Sequence, residues 1–230
     1  QNTLKLSPVE TDGLIFYISG GDGKYTVENT NNDTVEAIQS GNKVTFKPVA
    51  LGSSTVTITD NSGRSYTLKI KVAYSVSIYK VFAHQAGVAG GEMTSNQIAE
   101  LKSTMLASIP VEVGGRYEFT WKTRRDPENS WATSGDVVIY TSYSTTTPLT
   151  GTFEVRQVAD FLNGNHDRYT ITVGTETYVY NYYRYGQISV GSRSGMQQTR
   201  WMFLEDVTNK YTGEYPALET AIAIQGITYK

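Results

Sequence analysis

An alternation of apolar and polar residues with a period of two dominates the first 74 residues. The clearest run is 66–72, in which apolar side chains alternate with threonine and lysine. This pattern is typical of a strand with one buried and one solvated face. Shorter runs at 44–46 and 56–58 repeat it, with turn-forming residues between the runs. Short strands at this spacing predict a β-sandwich, and no helical pattern competes with that prediction.

One early segment departs from the alternation. Residues 14–18 are apolar throughout, and the glycine-rich turn 20–23 follows them. A continuous apolar run of this length predicts a strand that is buried on both sides.

The second part of the chain begins without a Pro, Gly or Ser-rich linker. Residues 73–77 join the two parts, so a strand over 76–82 is expected to start the second domain directly. A helix follows, because apolar residues recur at helical spacing between Ile98 and Ile109. Thr94 and Gln97 have the spacing of a capping box at its start, and Pro110 closes it.

Strand patterns return after that helix and continue almost to the end of the chain. A short second helix is predicted near 207–215 with Asp206 as its N-cap, before a last strand over 221–227. This order predicts an α+β domain with a mostly antiparallel sheet and one or two helices. The predicted domains are 1–74 and 75–230.

The module from Tyr25 to Val72 also resembles a known family. The Asn-rich turn before Val35, the segment 48–52, the strand 55–58, and the turn 60–63 carry the resemblance. It is similar to a bacterial immunoglobulin-like domain, over residues of about 10–73. The resemblance implies an N-terminal immunoglobulin-like β-sandwich in an extracytoplasmic protein, at the bacterial cell surface, where such modules are spacers and adhesion units. No named family is assigned to the second domain.

The amino-acid composition disfavours several classes of binding partner. Hydrophobic residues make up 39% and charged residues 18%, which allows a packed core. The net charge of −2, without blocks of one sign, disfavours nucleic acid and anionic lipid. No run has the roughly 18 apolar residues of a membrane span. Cysteine is absent, which removes disulfides and thiolate metal sites, and the chain is compatible with a lipid anchor upstream of residue 1.

No catalytic, metal or cofactor motif emerges from the sequence. The only histidines, His84 and His166, lack a metal-binding spacing and are expected in turns or on the surface. The glycine-rich segment 87–91 lacks a dinucleotide motif and is expected to be a mobile loop, and 163–167 fits a hairpin turn. The candidate acids for cleavage of a glycosidic bond are Glu154, Asp160, Asp167, Glu176 and Glu205, but no motif supports that role. The prediction is therefore a non-enzyme without metal or cofactor.

Aromatic residues supply the candidate ligand site. Residues 1–74 hold six of them and residues 75–230 hold 21. The candidate ligand-binding residues are Trp131, Tyr183, Tyr185 and Arg124. Flat rings stack on sugar faces or extended peptides at low entropic cost. The alternative is that the stripe Tyr178, Tyr180 and Tyr182 packs across the sheet and that Arg124 is a solvated loop residue.

These observations predict a non-enzymatic cell-surface protein in which a spacer presents a domain that binds a glycan, a peptide or a neighbouring protein. Two alternatives remain open. One is an accessory or divergent carbohydrate-processing hydrolase domain on the same spacer, which would need a pocket with two converging acids. The other is a structural subunit of a surface assembly, which would expose an uncovered strand edge in the second domain. Oligomeric state is left open by the sequence.

Overall fold

The architecture is mostly β. A computed structural model describes residues 3–10, 12–123, 132–160, 164–185 and 200–229. Strands make up 59% of this structure and helices make up 9%. The chain divides into two compact units, Gln1–Ser75 and Val76–Lys230, which we call unit 1 and unit 2.

The predicted fold class is wrong. An immunoglobulin-like sandwich followed by an α+β domain was expected, whereas unit 2 closes eight strands into a barrel and unit 1 contains two further sheets. The local strand patterns are the same in an open sheet and in a barrel, because period two reports only which face is buried. Closure depends on pairing between strands that are distant in sequence, which alternation does not encode.

The described part of unit 1 consists of seven strands in two sheets. They are β1 (Thr3–Leu6), β2 (Leu14–Tyr17), β3 (Tyr25–Asn29), β4 (Val35–Ser40), β5 (Lys43–Pro48), β6 (Gly52–Asp60) and β7 (Ser65–Val72). One sheet has the order β1-β7-β6-β3 and the other has the order β2-β5-β4. Only the β1–β7 pair is parallel.

Both sheets of unit 1 contribute to one hydrophobic core. Its fully buried members are Leu6, Val35, Val44, Phe46, Val56, Ile70 and Val72. The alternating positions of β5 and β7 supply most of this burial, as the sequence pattern predicts. The prediction for residues 14–18 is wrong, however, because all four residues of β2 are exposed. β2 is an edge strand, so its apolar run does not indicate double burial.

Unit 2 consists of eight strands and two helices among the residues that the structure describes. They are β8 (Ser75–Ala89), α1 (Ser95–Ala107), β9 (Arg116–Trp121), β10 (Thr133–Tyr140), β11 (Leu149–Asp160), β12 (Gly164–Val173), β13 (Glu176–Tyr185), β14 (Arg200–Asp206), α2 (Thr208–Tyr211) and β15 (Thr220–Tyr229). The barrel order is β10-β11-β12-β13-β14-β15-β8-β9, with β9 paired to β10. The expected mobile loop at 87–91 is wrong in part, since β8 continues to Ala89.

Backbone hydrogen bonds join the two strands that flank α1 and so complete the barrel. The Val81 amide donates to the Gly115 carbonyl oxygen at 3.0 Å, and the Gly114 amide donates to the Val81 carbonyl oxygen at 2.9 Å. Gly114 has a φ of 97°, a left-handed conformation that glycine adopts without strain. The chain can therefore turn sharply into β9 at the point where the barrel closes.

Large side chains fill the interior of the barrel. Seven of the fourteen buried residues are aromatic. The fourteen are Tyr79, Val81, Val111, Tyr117, Phe119, Val137, Ile139, Phe153, Val155, Tyr169, Ile171, Tyr180, Phe203 and Ile227. An eight-stranded barrel is just wide enough for its own side chains. The described interior is therefore a packed core.

The helix α1 begins where the sequence predicts. The Gln97 amide donates to the Thr94 hydroxyl oxygen at 3.3 Å, and the Thr94 amide donates to the Gln97 side-chain oxygen at 2.9 Å. Both bonds of the capping box are thus present. The buried residues of the helix belong to a second core cluster that includes Ala221 and Ala223 of β15. α2 begins after Val207 and is only four residues long.

The two ends of the barrel differ. Strand register brings one set of strand termini to the same end: Trp121, Thr133, Asp160, Gly164, Tyr185, Arg200 and Tyr229. We call this the loop end, because the connections β9–β10, β11–β12 and β13–β14 leave from it. At the opposite end, which we call the helix end, α1 and α2 connect neighbouring strands.

A glycine at an inward position of the barrel, Gly135, and an exposed glycine in the turn after α2, Gly213, generate a first prediction. A Cβ on Gly135 would lie inside the van der Waals radius of the Thr120 carbonyl oxygen, whereas nothing lies within 4 Å of a Cβ on Gly213. Because backbone must shift to make room, Gly135→Ala should lower the free energy of unfolding by about 3 kcal/mol. Gly213→Ala should leave it unchanged or raise it slightly. Urea unfolding followed by circular dichroism measures both, and equal stabilities would contradict this packing of β9 on β10.

Candidate functional site

Aromatic residues surround the interior at the loop end of the barrel. They are Trp121, Tyr182, Trp201 and Tyr229, and we call this set the aromatic rim. Each lies two positions from a buried residue on its own strand: Phe119, Tyr180, Phe203 and Ile227 respectively. Since side chains alternate along a strand, the rim residues lie on the inward face, beyond the last filled layer of the core.

Ring contacts connect the rim to the core and to itself. The Tyr182 and Trp201 rings are nearly parallel, with centroids 4.8 Å apart and an angle of 9° between their planes. The buried ring of Tyr79 lies 5.8 Å from Tyr182 and 5.5 Å from Tyr229. Trp121 packs edge-on against Phe153, at a centroid distance of 4.9 Å. The rim is therefore a continuation of the core packing and is held rigidly from below.

The rim is also partly open to solvent. Trp121, Tyr182 and Trp201 are half-buried, and Tyr229 is 59% exposed. The Trp121 indole N–H donates to the Ser77 hydroxyl oxygen at 2.8 Å, which fixes the orientation of that ring. Half-buried Tyr and Trp rings with fixed orientations are typical of binding surfaces, because little side-chain entropy is lost when a ligand packs on them.

A carboxylate accompanies the aromatic rings. Asp167 of β12 lies directly across from Tyr182 of β13 in the strand register. Burial raises the pKa of the Tyr182 hydroxyl, and the neighbouring Tyr79 and the negative charge of Asp167 raise it further. Tyr182 therefore stays protonated and can donate a hydrogen bond, while Asp167 can accept one. The loop end thus combines flat apolar rings with both kinds of hydrogen-bonding group.

The predicted ligand residue Tyr183 lies on the outer face of the barrel. Its ring stacks on His166 of β12 with centroids 4.6 Å apart and a tilt of 29°. The His166 Nε2 lies 3.1 Å from the Asn181 side-chain oxygen, which also accepts a bond of 2.9 Å from the Arg168 Nε. Because that oxygen only accepts, Nε2 carries a proton. His166 is buried within a strand, so its predicted place in a turn over 163–167 is wrong.

Of the other three predicted ligand residues, the structure describes one. Tyr185 is the last residue of β13, and its backbone pairs with that of Arg200 at the loop end. Trp131 and Arg124 lie outside the described residues. The strands that flank them end at Trp121 and begin at Thr133, both at the loop end. The register therefore brings the flanks of every predicted ligand residue to one end of the barrel.

The tyrosine stripe faces inward. Tyr180 is fully buried in the barrel, and Tyr178 and Tyr182 pack against the same core. The sequence interpretation in which the stripe packs across a sheet accounts for Tyr178 and Tyr180, whereas Tyr182 reaches the rim. Sequence reasoning did not select Trp121 or Trp201. The sequence feature that could have identified them is their place at the end or the beginning of an alternating strand, because the ring of an inward residue there is only partly buried.

The candidate acids with described side chains lie on several strands: Glu154 on β11, Asp167 on β12, Glu176 on β13 and Glu205 on β14. Glu154 is on the outer face, where its carboxylate is paired with Arg156. Glu205 lies near the helix end of β14, and burial raises its pKa, an effect opposed in part by Lys210. Asp167 is at the loop end. Within the described part of the chain, no group of three or more His, Cys, Asp or Glu residues is arranged to hold a metal ion.

One further concavity lies in unit 1. It has a volume of ≈ 330 Å³ and is lined by Tyr25, Tyr66, Asp60 and Arg64 among others. Asp60 accepts hydrogen bonds from the Ser62 and Arg64 amides at 2.9 and 3.0 Å and forms an ion pair with the Arg64 guanidinium at 3.0 Å. The Ser62 hydroxyl, which donates to the same carboxylate, is the main cause of the lowered pKa of Asp60. These polar groups are therefore used to build the turn 60–64.

Comparison with known proteins adds no family. No protein-family model matches the chain, and no curated protein matches it significantly. Among the described residues, no helix is both long enough and apolar enough to cross a membrane.

The buried tyrosines make the stability of unit 2 depend on pH in the alkaline range. Burial raises the pKa of Tyr169, and its close neighbour Tyr79 adds to that shift. In the unfolded chain a tyrosine loses its proton near pH 10, whereas folded Tyr169 keeps it. Above about pH 10 the folded state therefore binds one more proton, and the free energy of unfolding falls by about 1.4 kcal/mol per pH unit for each such tyrosine.

Tyr169→Phe should reduce by one the difference in bound protons between the folded and the unfolded state. The decline in unfolding free energy between pH 10 and 11.5 should become shallower by about 1.4 kcal/mol per pH unit, because phenylalanine does not titrate. Urea unfolding at a series of pH values measures the slope. From pH 7 to 9 the two proteins should have parallel profiles, since tyrosine is protonated in both states. Equal slopes above pH 10 would show that Tyr169 ionises within the folded barrel.

Proposed function

We propose that this chain is a non-enzymatic, extracytoplasmic protein of a bacterial cell surface, in which the barrel binds a glycan at its loop end. The observation that carries the proposal is the aromatic rim, above all the nearly parallel Tyr182 and Trp201 rings. Sugar rings have apolar faces that pack on aromatic rings and hydroxyl edges that require hydrogen-bonding partners. The rim supplies the rings, and Asp167 and the Tyr182 hydroxyl supply the polar partners.

The filled interior supports a site at the end of the barrel over a site inside it. Aromatic side chains occupy the space that a ligand would need within the described strands. The rim is instead a preformed surface, anchored by Tyr79 and by the bond from Trp121 to Ser77. A site of this kind favours binding over chemistry, because Glu154 is paired with Arg156 on the outer face and Glu205 lies near the helix end, away from the rim.

The compartment rests on the sequence of unit 1. The resemblance of residues 25–72 to bacterial immunoglobulin-like domains supports a surface location, where such modules act as spacers. The absence of cysteine from the chain is compatible with that location. In this proposal unit 1 is the spacer and unit 2 carries the ligand site.

Tyr229→Ala should weaken glycan binding about tenfold, because one stacked ring contributes about 1.4 kcal/mol. The ring is 59% exposed, so its loss should lower the thermal midpoint by only a few degrees. Tyr143→Ala is the matched control, since Tyr143 is 90% exposed and lies between β10 and β11 at the helix end. A glycan array identifies the ligand, and titration calorimetry compares the variants. Equal affinities would exclude the rim, and an array without any binding would exclude a glycan.

Trp131→Ala tests the loop residue that the sequence selected. The expected result is weaker binding on the same array with a nearly unchanged thermal midpoint, because a ring that serves ligand contact contributes little to the core. A loss of stability equal to that of a core substitution would instead show that Trp131 belongs to the packed interior.

A further inference from the structure

Unit 1 has four open strand edges among its described residues, and one of them differs from the other three. The edge strands are β1 and β3 in one sheet and β2 and β4 in the other. Three of the four carry a charged side chain: Lys5, Glu28 and Glu36 respectively for β1, β3 and β4. Charges on an edge prevent other chains from pairing with it. β2 has the sequence Leu-Ile-Phe-Tyr and lacks such protection.

Both faces of β2 are apolar and accessible. The exposed fractions are 37% for Leu14, 50% for Ile15, 41% for Phe16 and 71% for Tyr17. Four consecutive large apolar side chains at an exposed edge are unusual in a monomeric protein. The edge therefore has the properties of a surface that is covered by another strand.

The hydrogen bonds of β2 to its one neighbour determine which backbone groups are free for such a strand. The Ile18 amide donates to the Asn42 carbonyl oxygen at 2.8 Å, on the side of β5. Backbone groups of alternate residues point in the same direction, so those of Leu14 and Phe16 also point toward β5. The N–H and C=O groups of Ile15 and Tyr17 point away from β5, toward the open edge.

We propose that the open edge of β2 pairs with β2 of a second copy of this chain, antiparallel, about a two-fold axis at Phe16. In this register Ile15 lies opposite Tyr17 of the second copy, and each such pair exchanges two backbone hydrogen bonds. The outward N–H and C=O groups of Ile15 and Tyr17, four in each copy, are then all satisfied. The two three-stranded sheets become one six-stranded sheet with the order β4-β5-β2-β2-β5-β4.

The side chains of β2 are complementary to themselves in this register. Phe16 lies opposite Phe16 of the second copy, and aromatic cross-strand pairs stabilise sheets. The Phe16 ring already contacts the core residue Phe46, at a centroid distance of 5.6 Å. The paired rings would therefore join the cores of the two copies. Charge does not oppose the contact, because β2 itself has no charged side chain.

The size of the contact indicates a weak dimer. A strand of four residues is roughly 13 Å long, so this edge buries less than the roughly 1,200 Å² that is typical of stable specific complexes. The dimer is expected to form reversibly and to depend on protein concentration. Its two-fold symmetry closes the assembly, since both β2 edges are then used.

Disulfide trapping of this chain tests the register directly, because its sequence has no cysteine. In the proposed dimer the two Phe16 positions form a non-hydrogen-bonded pair with Cα atoms about 4.5 Å apart, within the range that a disulfide spans. Phe16→Cys should therefore give a covalent dimer under mild oxidation. Tyr17→Cys is the matched control, since the two Tyr17 positions lie about 9 Å apart and should not crosslink.

Sedimentation of the unmodified chain over micromolar to millimolar concentrations should show a monomer–dimer equilibrium. Tyr17→Pro should raise its dissociation constant at least tenfold, because proline removes an outward amide that the monomer does not use. Tyr17→Lys should act similarly through charge. Ile38→Lys, at an exposed position of the opposite edge β4, should leave the dissociation constant unchanged. Circular dichroism checks that each variant is folded.

Three outcomes would overturn the proposal. They are a protein that stays monomeric up to millimolar concentration, a dimer that the Tyr17 variants do not weaken, and equal crosslinking of Phe16→Cys and Tyr17→Cys. A monomer whose β2 edge instead binds a strand peptide of different sequence would also overturn it, and would identify another protein as the occupant of the edge.

Discussion

Closure of the barrel is the constraint on which the rest of unit 2 depends. The two bonds between Val81 and the Gly114–Gly115 turn complete a ring of eight strands, and the enclosed space must then be filled. Tyrosine fills much of it, so hydroxyl groups are enclosed with the rings. The Tyr117 hydroxyl donates to the Gln225 side-chain oxygen at 2.9 Å, and the Tyr79 and Tyr169 hydroxyls lie 3.4 Å apart. Buried hydroxyls with partners help to specify one arrangement of the core.

A filled interior determines where unit 2 can meet other molecules. The helix end is covered by α1, whose buried face packs on β15. The outer face has polar pairs such as Arg156 with Glu154. At the loop end, the same aromatic packing that fills the core continues into half-exposed rings. The core and the aromatic rim are thus one continuous aromatic structure, and packing against the core restricts the motion of the rim rings.

The sequence predicts those features whose causes are local. The start of α1 is set by Thr94 and Gln97, three residues apart, and the alternation in β7 sets which of its residues are buried. Other features have distant causes. The exposure of β2 follows from its place at a sheet edge, and the burial of His166 follows from Tyr183 across the neighbouring strand. The gathering of rim residues depends on closure, which brings together Trp121 and Tyr229 from distant parts of the chain.

Trp121 and Trp201 have a common position with a practical consequence. Trp121 and Trp201 belong to the loop end, Trp131 falls in the connection between strands that end there, and unit 1 contains no tryptophan. The fluorescence of Trp121 and Trp201 is consequently a local signal from the loop end of unit 2. Excitation energy absorbed by Tyr182 is transferred to Trp201 over a short distance, because the two rings are stacked. The fluorescence of Trp201 should therefore respond to any molecule that alters the spacing or hydration of that pair.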